Sequence, residues 1–302
     1  MANHDLTYAD RRQFLSQVLR GGLAAAVHGT AFRAFAQDPE PTKPTRLPTK
    51  LPDGTTVYRV LSSMDERGNV FVSAPWEAEP WRWVGVLADA SGSHRGTGAF
   101  VGRRLVLTAA HVAVGGGTWG EPRAFWEPRD WTFAPAAQGH DARLGKFKVL
   151  RWWAEPRYYE TRCAPDDWAV VEVEGSPHPH DFFEVWDGAR AGLMVTSAGY
   201  PGEKDPVIRA KIGLTMWMRS YPIKRVEDAG EFLLDQEVIH GCSGAPAWAY
   251  WKGRGRWVVG VLARGIPTDV RTRLGPSIFA PLTRERVELI KKWREHGLPD
   301  PK

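Results

Sequence analysis

The sequence predicts an all-β fold with one helix near its C-terminal end. Three observations carry that reading. Short stretches rich in Val, Leu, Phe and Trp recur along the chain, Gly, Pro and Asp separate them, and they fall into two sets on either side of residues 182–192. Regular short strands punctuated by turn residues describe a sandwich or a barrel.

In chain order, the first set of strands is predicted at residues 81–89, 96–102, 104–109, 147–153 and 168–174. The second set is predicted at residues 193–198, 208–218, 231–239, 245–251 and 257–263. The helix follows Thr283, a residue able to cap it. Arg286, Leu289, Ile290 and Trp293 share one side at helical spacing, and Gly297 followed by Pro299 stops it.

The N-terminal 36 residues read as an address rather than as part of the fold. Arg11-Arg12-Gln13-Phe14-Leu15 has the pattern of a twin-arginine export signal, a Gly/Ala-rich stretch follows, and Ala34-Phe35-Ala36 has the form of a cleavage site. This predicts a periplasmic or secreted protein exported by the twin-arginine route. Residues 37–52 carry five prolines and no apolar periodicity, as expected of an extended, solvated linker or pro-segment. The folded domain is therefore expected at residues 54–302.

This division changes what the charge means. The chain has 40 Lys and Arg against 35 Asp and Glu, a formal +5. Residues 1–36 hold four Arg and two Asp, which leaves 36 basic and 33 acidic residues, or +3, without a basic run. Nucleic acid is thus not an expected partner. No uncharged apolar run reaches the ~18 residues that a membrane span needs. Two cysteines, Cys163 and Cys242, exclude a disulfide-dense scaffold and a four-cysteine zinc site. Two free, buried thiols are expected. His178 and His180 flank Pro179 without a carboxylate or cysteine partner set, and His140 is similar, so no metal is expected. No cofactor is implied and a monomer is expected. Most of the 15 Trp are read as packing.

Three segments carry chemistry. Thr108-Ala109-Ala110-His111 delivers a histidine at the end of a strand, Asp166-Asp167-Trp168-Ala169-Val170 places a carboxylate before an apolar strand, and Gly241-Cys242-Ser243-Gly244-Ala245-Pro246 holds a serine between glycines. Each alone is ordinary, but together they supply the parts of an acyl-transfer site. A serine hydroxyl is a poor nucleophile until a base takes its proton, and that base needs a carboxylate to fix its tautomer. The glycines leave the backbone free to aim the N–H groups of Gly241 and Ser243 at a developing oxyanion. Asp166 and Asp167 both stand as candidates for the carboxylate.

The order His111, Asp167, Ser243 differs from the Ser–Asp–His order of α/β-hydrolases and the Asp–His–Ser order of the subtilisin type. On these motifs the chain resembles the trypsin-like, chymotrypsin-fold serine endopeptidases, and most closely their bacterial branch that includes glutamyl endopeptidases. Gly199-Tyr200-Pro201-Gly202-Glu203-Lys204 is similar to a turn of that branch, and Gly241 to Pro246 to its Gly-x-Ser-Gly-x-Pro. Asp167-Trp168-Ala169-Val170 is similar to the family's Asp-x-Ala-Val, which implies Asp167 as the carboxylate. The resemblance covers roughly residues 80–295. It implies a chymotrypsin-like double β-barrel of two six-stranded halves with a cleft between them, and a protein or peptide substrate. In that scheme His111 is base then acid, Asp167 its orienting partner and Ser243 the nucleophile. It also points to two pocket positions. Leu262 stands where glutamyl endopeptidases carry a His, and Glu237, six residues before Ser243, occupies the pocket base, where a carboxylate would favour Lys or Arg beside the scissile bond. Cys242 replaces the Asp that animal relatives pair with a new N-terminus. Two rival functions stand beside that scheme, one within this fold and one from another class of β protein. One is a catalytically silent homologue that binds peptides; the other is a binder of carbohydrate or cell-surface polymers through Trp pairs such as Trp126/Trp131 and Trp152/Trp153.

Overall fold

A computed structural model of the chain describes residues 46–50, 56–60, 70–71, 78–115, 127–138, 141–201, 216–235, 241–265 and 277–299. The export stretch 1–36, Trp126, His140 and Glu237 lie outside the described residues. Arg46–Lys50 (β1) pairs antiparallel with Thr56–Val60 (β2), Arg46 facing Val60. Part of the Pro-rich stretch expected as a solvated linker is therefore a strand. Its Pro48 is compatible with that pairing because both strands of a two-stranded ribbon are edges, where a missing donor can face outward.

The first barrel closes through six antiparallel strands. In chain order these are β4 (Val84–Ala88), β5 (His94–Phe100), β6 (Leu105–Thr108), β7 (Thr132–Pro135), β8 (Phe147–Ala154) and β9 (Ala169–Val173). Around the barrel they run β4-β5-β6-β9-β8-β7. All five residues of β9 are buried, which explains its unbroken apolar character apart from Glu172. Glu172 is matched by Arg151, 2.6 Å away, and by Arg104, at 3.4 Å. β7 escapes sequence reading because four residues around a proline show no alternation.

The second sheet is built from β11 (Met194–Gly199), β12 (Trp217–Pro222), β14 (Phe232–Leu234), β15 (Pro246–Trp251), β16 (Gly255–Gly265) and β17 (Ser277–Pro281). Three two-residue strands, β3 (Val70–Phe71), β10 (Glu184–Val185) and β13 (Arg225–Val226), raise it from the six strands expected to nine. Of the predicted strand at 208–218, residues 208–215 lie outside the described residues, and Trp217 and Met218 open β12.

Among the described residues two short α-helices and one longer one complete the fold: α1 (Ala110–Ala113), α2 (Pro156–Thr161) and α3 (Arg284–His296). The Thr283 side chain accepts from the Arg286 N–H at the start of α3, and Gly297 ends it with φ 78°. Arg286, Val287, Ile290 and Trp293 face inward. Trp293 meets Trp153 and Trp168, with centroids 4.9 and 6.3 Å away, which packs α3 onto the first barrel. Arg294 donates to the Phe183 carbonyl at 2.9 Å and to Glu184 at 2.7 Å, holding the connection between the two sheets.

One apolar cluster runs through both sheets. Trp83 meets Phe183 edge-on at 4.8 Å, Phe183 meets Trp248 at 5.1 Å, and Trp81 meets Trp248 at 5.9 Å. Trp131 is buried, and Trp152 and Trp153 are half-buried against this cluster. No Trp is among the exposed large hydrophobic side chains of the described residues. The pairs proposed for a polymer-binding surface are mostly packing.

Candidate active site

His111 stands in α1, the single helical turn that follows β6. Asp167 stands on the neighbouring segment, after the 3-10 turn Ala164–Asp166 and two residues before β9, which pairs with β6 from Thr108↔Ala169 onward. That pairing brings the two residues together from 56 positions apart. The Asp167 carboxylate is fully buried, and both its oxygens are engaged: Oδ1 accepts from the His111 backbone N–H at 2.8 Å, and Oδ2 meets Nδ1 at 2.7 Å. A carboxylate only accepts, so Nδ1 carries the proton and Nε2 of the neutral ring is left as an acceptor. The His111 side chain is 19% exposed, so the ring is anchored at one end and open at the other. Asp166 faces elsewhere: it accepts from Thr161 Oγ1 at 2.8 Å and lies 3.7 Å from Arg286.

Ser243 sits in the turn between β14 and β15. Gly241 and Gly244 flank it with φ of 96° and 83°, values in the left-handed region that glycine adopts without strain. Gly244 has a second reason to lack a side chain. A Cβ there would lie 2.2 Å from Thr108 Oγ1 and 2.3 Å from the Thr97 carbonyl. Across the interface, a Cβ on Gly96 would meet the Val112 methyls at 2.6 Å and the Ser243 carbonyl at 3.0 Å. The backbone of Ser243 and the residue after His111 therefore touch the same glycine.

Thr97 in β5 ties this turn to the first barrel. Its N–H donates to the Ser243 carbonyl at 2.8 Å and its hydroxyl to the Gly241 carbonyl at 2.9 Å. The same hydroxyl accepts from the Tyr200 N–H at 3.0 Å, and the Thr97 carbonyl accepts from the Thr108 hydroxyl at 2.7 Å. Thr97 is fully buried. Replacing it by Val keeps the shape but strands the Tyr200 N–H and the Gly241 carbonyl. Each unpaired group costs about 1–3 kcal/mol. Thr97→Val is thus expected to lower the denaturant midpoint of the folded protein markedly, and Thr97→Ser to leave it nearer that of the wild type. Thr97 was visible in the sequence as the one polar residue between Gly96 and Gly98, and its role was not read from there.

Leu262 adjoins the serine turn through its backbone: Gly244 donates to its carbonyl at 2.8 Å, and its N–H donates to Ala245 at 2.9 Å. Its side chain is 1% exposed and packs in the apolar cluster of the second sheet. Cys163 carries a free, exposed thiol and Cys242 is half-buried, so neither is the buried thiol expected. Among the described residues no group of His, Cys, Asp and Glu is arranged to hold a metal, and no helix is long and apolar enough to cross a membrane. Tyr158, missed by sequence reading, is fully buried, and its hydroxyl has no hydrogen-bond partner among the described residues. Burial, and then the Asp167 charge nearby, push its phenol well above the usual range, so it stays neutral.

The model of the Trypsin family matches residues 72–222, half of the chain, a span that holds His111 and Asp167 and ends before Ser243. The chain belongs to the trypsin family. As a trypsin-like serine endopeptidase it is a hydrolase of peptide bonds. Solved structures agree on the fold. A Glu endopeptidase is 18% identical, with 75% of this chain and 96% of that chain covered at a TM-score of 0.60. A thermostable serine protease, AL20, from an extremophilic microorganism is 13% identical, covering 72% and 98% at 0.56. The protease Anisep from Arthrobacter nicotinovorans is 18% identical, covering 66% and 90% at 0.51. No curated protein sequence matches the chain. The trypsin-family fold accounts for both halves of the molecule, the C-terminal helix included.

Proposed function

We propose that this trypsin-family chain is an exported serine endopeptidase that cleaves protein or peptide substrates through an acyl-enzyme, with Ser243, His111 and Asp167 as its catalytic groups. The observation that carries the reading is the doubly held Asp167 carboxylate, which fixes the His111 ring with Nε2 as an acceptor. Nε2 takes the Ser243 Oγ proton as Oγ attacks the substrate carbonyl. The carbonyl oxygen becomes an oxyanion, stabilised by the N–H groups of Gly241 and Ser243. As the tetrahedral species collapses, His111 returns the proton to the leaving amine. Water then attacks the ester by the same steps in reverse roles, releasing the acid and free Ser243.

Export rests on the Arg11-Arg12 motif and the Ala34-Phe35-Ala36 site. A twin-arginine substrate folds in the reducing cytoplasm before export, where disulfides do not form, in keeping with the free Cys163 thiol. A fluorophosphonate probe tests the chemistry without knowledge of the substrate. The wild type is expected to label at one residue and Ser243→Ala not at all. A folded wild type that stays unlabelled would leave a peptide-binding homologue in place of the enzyme.

A further inference from the structure

We propose that Arg286, on the C-terminal helix α3, is a positioning residue for Asp167. The inference rests on the triad reading above and extends the site to an element more distant in sequence. Its basis is the way the aspartate's segment is held. Asp167 closes the 3-10 turn Ala164–Asp166, its N–H bonded to the Ala164 carbonyl at 3.1 Å, and Trp168 follows with its N–H on the Asp166 carbonyl at 2.9 Å. Other contacts also hold this segment: Trp168 packs on Trp153 at 4.9 Å, its carbonyl accepts from the Glu155 N–H at 3.2 Å, and Thr161 donates to Asp166 at 2.8 Å. Arg286 adds contacts from several directions at once.

Nη1 of Arg286 donates to the Pro165 carbonyl at 2.7 Å and to the Pro281 carbonyl at 2.8 Å, joining the turn to the end of β17. Nη2 lies 3.7 Å from Asp166 Oδ1 and 3.7 Å from Glu155 Oε2. The guanidinium carbon lies 5.1 Å from the centre of the Trp168 ring, whose Nε1–H donates to the same Glu155 oxygen at 3.0 Å. One planar cation therefore touches the carbonyl two residues before Asp167, the carboxylate immediately before it and the indole immediately after it. Only the delocalised fork of arginine can donate to two carbonyls, face two carboxylates and cover an aromatic ring together. Arg157 also faces Asp166, at 3.9 Å, but its side chain is 73% exposed and it adds little constraint. Arg286 is 9% exposed.

The catalytic consequence follows from the short distances at Asp167. Its two bonds to His111, at 2.8 and 2.7 Å, leave no room for a shift of the turn without loss of one of them. A displacement of about 1 Å at a reacting geometry can cost about 100-fold in rate.

The experiment compares rate constants for fluorophosphonate labelling of Ser243 in the full chain, with circular dichroism as a check on folding. Arg286→Gln removes the charge. Arg286→Lys keeps the charge but cannot reach both carbonyls and both carboxylates, and it carries the test if the Gln variant does not fold. Each folded variant is expected to label about 10- to 100-fold more slowly than the wild type. In an Asp167→Asn background the same substitutions are expected to change the rate by less than about 3-fold, because a residue that acts through Asp167 has nothing left to position. A folded Arg286 variant that labels at the wild-type rate overturns the proposal. So does an undiminished loss in the Asp167→Asn background, which would mark a merely structural role. Wild-type labelling of Asp167→Asn alone would instead overturn the triad reading on which the proposal stands.

Discussion

Asp167→Asn is expected to lower kcat by about 10⁴-fold in a protein that remains folded. The reason is a count of acceptors. Asp167 receives two donors, the His111 N–H and Nδ1–H, one on each oxygen. An asparagine has one carbonyl oxygen and one NH₂. If its oxygen stays on the backbone N–H, the NH₂ confronts Nδ1. The ring then adopts the tautomer with the proton on Nε2, where it can no longer accept from serine. If the oxygen instead serves Nδ1, the NH₂ opposes a buried backbone N–H, and α1 must shift. Either outcome removes the base that Ser243 needs. The measurement is steady-state turnover of a peptide substrate, with near-ultraviolet circular dichroism to confirm that the aromatic core is unchanged. A fall of less than about 10-fold would mean that the carboxylate serves the fold and not the chemistry.

The second large effect is expected at Gly244. Gly244→Ala places a methyl 2.2 Å from the Thr108 hydroxyl oxygen and 2.3 Å from the Thr97 carbonyl oxygen, at a residue with φ 83°. Neither obstacle is the end of a flexible chain: one is backbone, and the other is a buried hydroxyl bonded to that backbone. A non-glycine residue in this conformation costs about 1–2 kcal/mol, and forcing an extra carbon into a packed site costs about 1–3 kcal/mol more. The turn must back away from β5, and Ser243 moves with it. Turnover is expected to fall by about 100-fold or more, together with a lower melting temperature. Gly253→Ala makes a useful control, since its φ of 78° is close to that of Gly244 but a Cβ there meets nothing within 4 Å. A Gly244→Ala protein with wild-type turnover would show that the serine turn does not depend on its docking against the first barrel.

The meeting of the His111 and Asp167 segments was legible in the sequence because both runs adjoin apolar strands that pair, β6 with β9. Each run alone is ordinary; the combination and order of the three, with the apolar strands beside them, made the reading. What the sequence did not disclose shares one physical feature: it depends on contacts between distant segments. Thr97 is unremarkable until the Gly241 and Ser243 carbonyls arrive 144 and more positions later. Arg286 carried a usable sign. It lies on the apolar side of the predicted helix, and an arginine on a buried face implies a polar partner across the interface. Leu262 was singled out from its place after Gly260, and the backbone bonds that tie it to the serine turn depend on the distant pairing of that turn with β16. The hairpin at Arg46–Lys50 was hidden by its prolines, which suggest a linker even where an edge strand tolerates them.

The apolar cluster that joins Trp81, Trp83, Phe183 and Trp248 has a consequence for motion. Enzymes whose halves meet across a thin polar seam can close on a substrate by hinge bending. Here a close-packed aromatic cluster crosses from one sheet to the other, beside a separate cluster within the second sheet, and such interiors resist continuous deformation. Relative rotation of the halves would have to break ring contacts that are made together. Heat should therefore melt both halves in a single cooperative step.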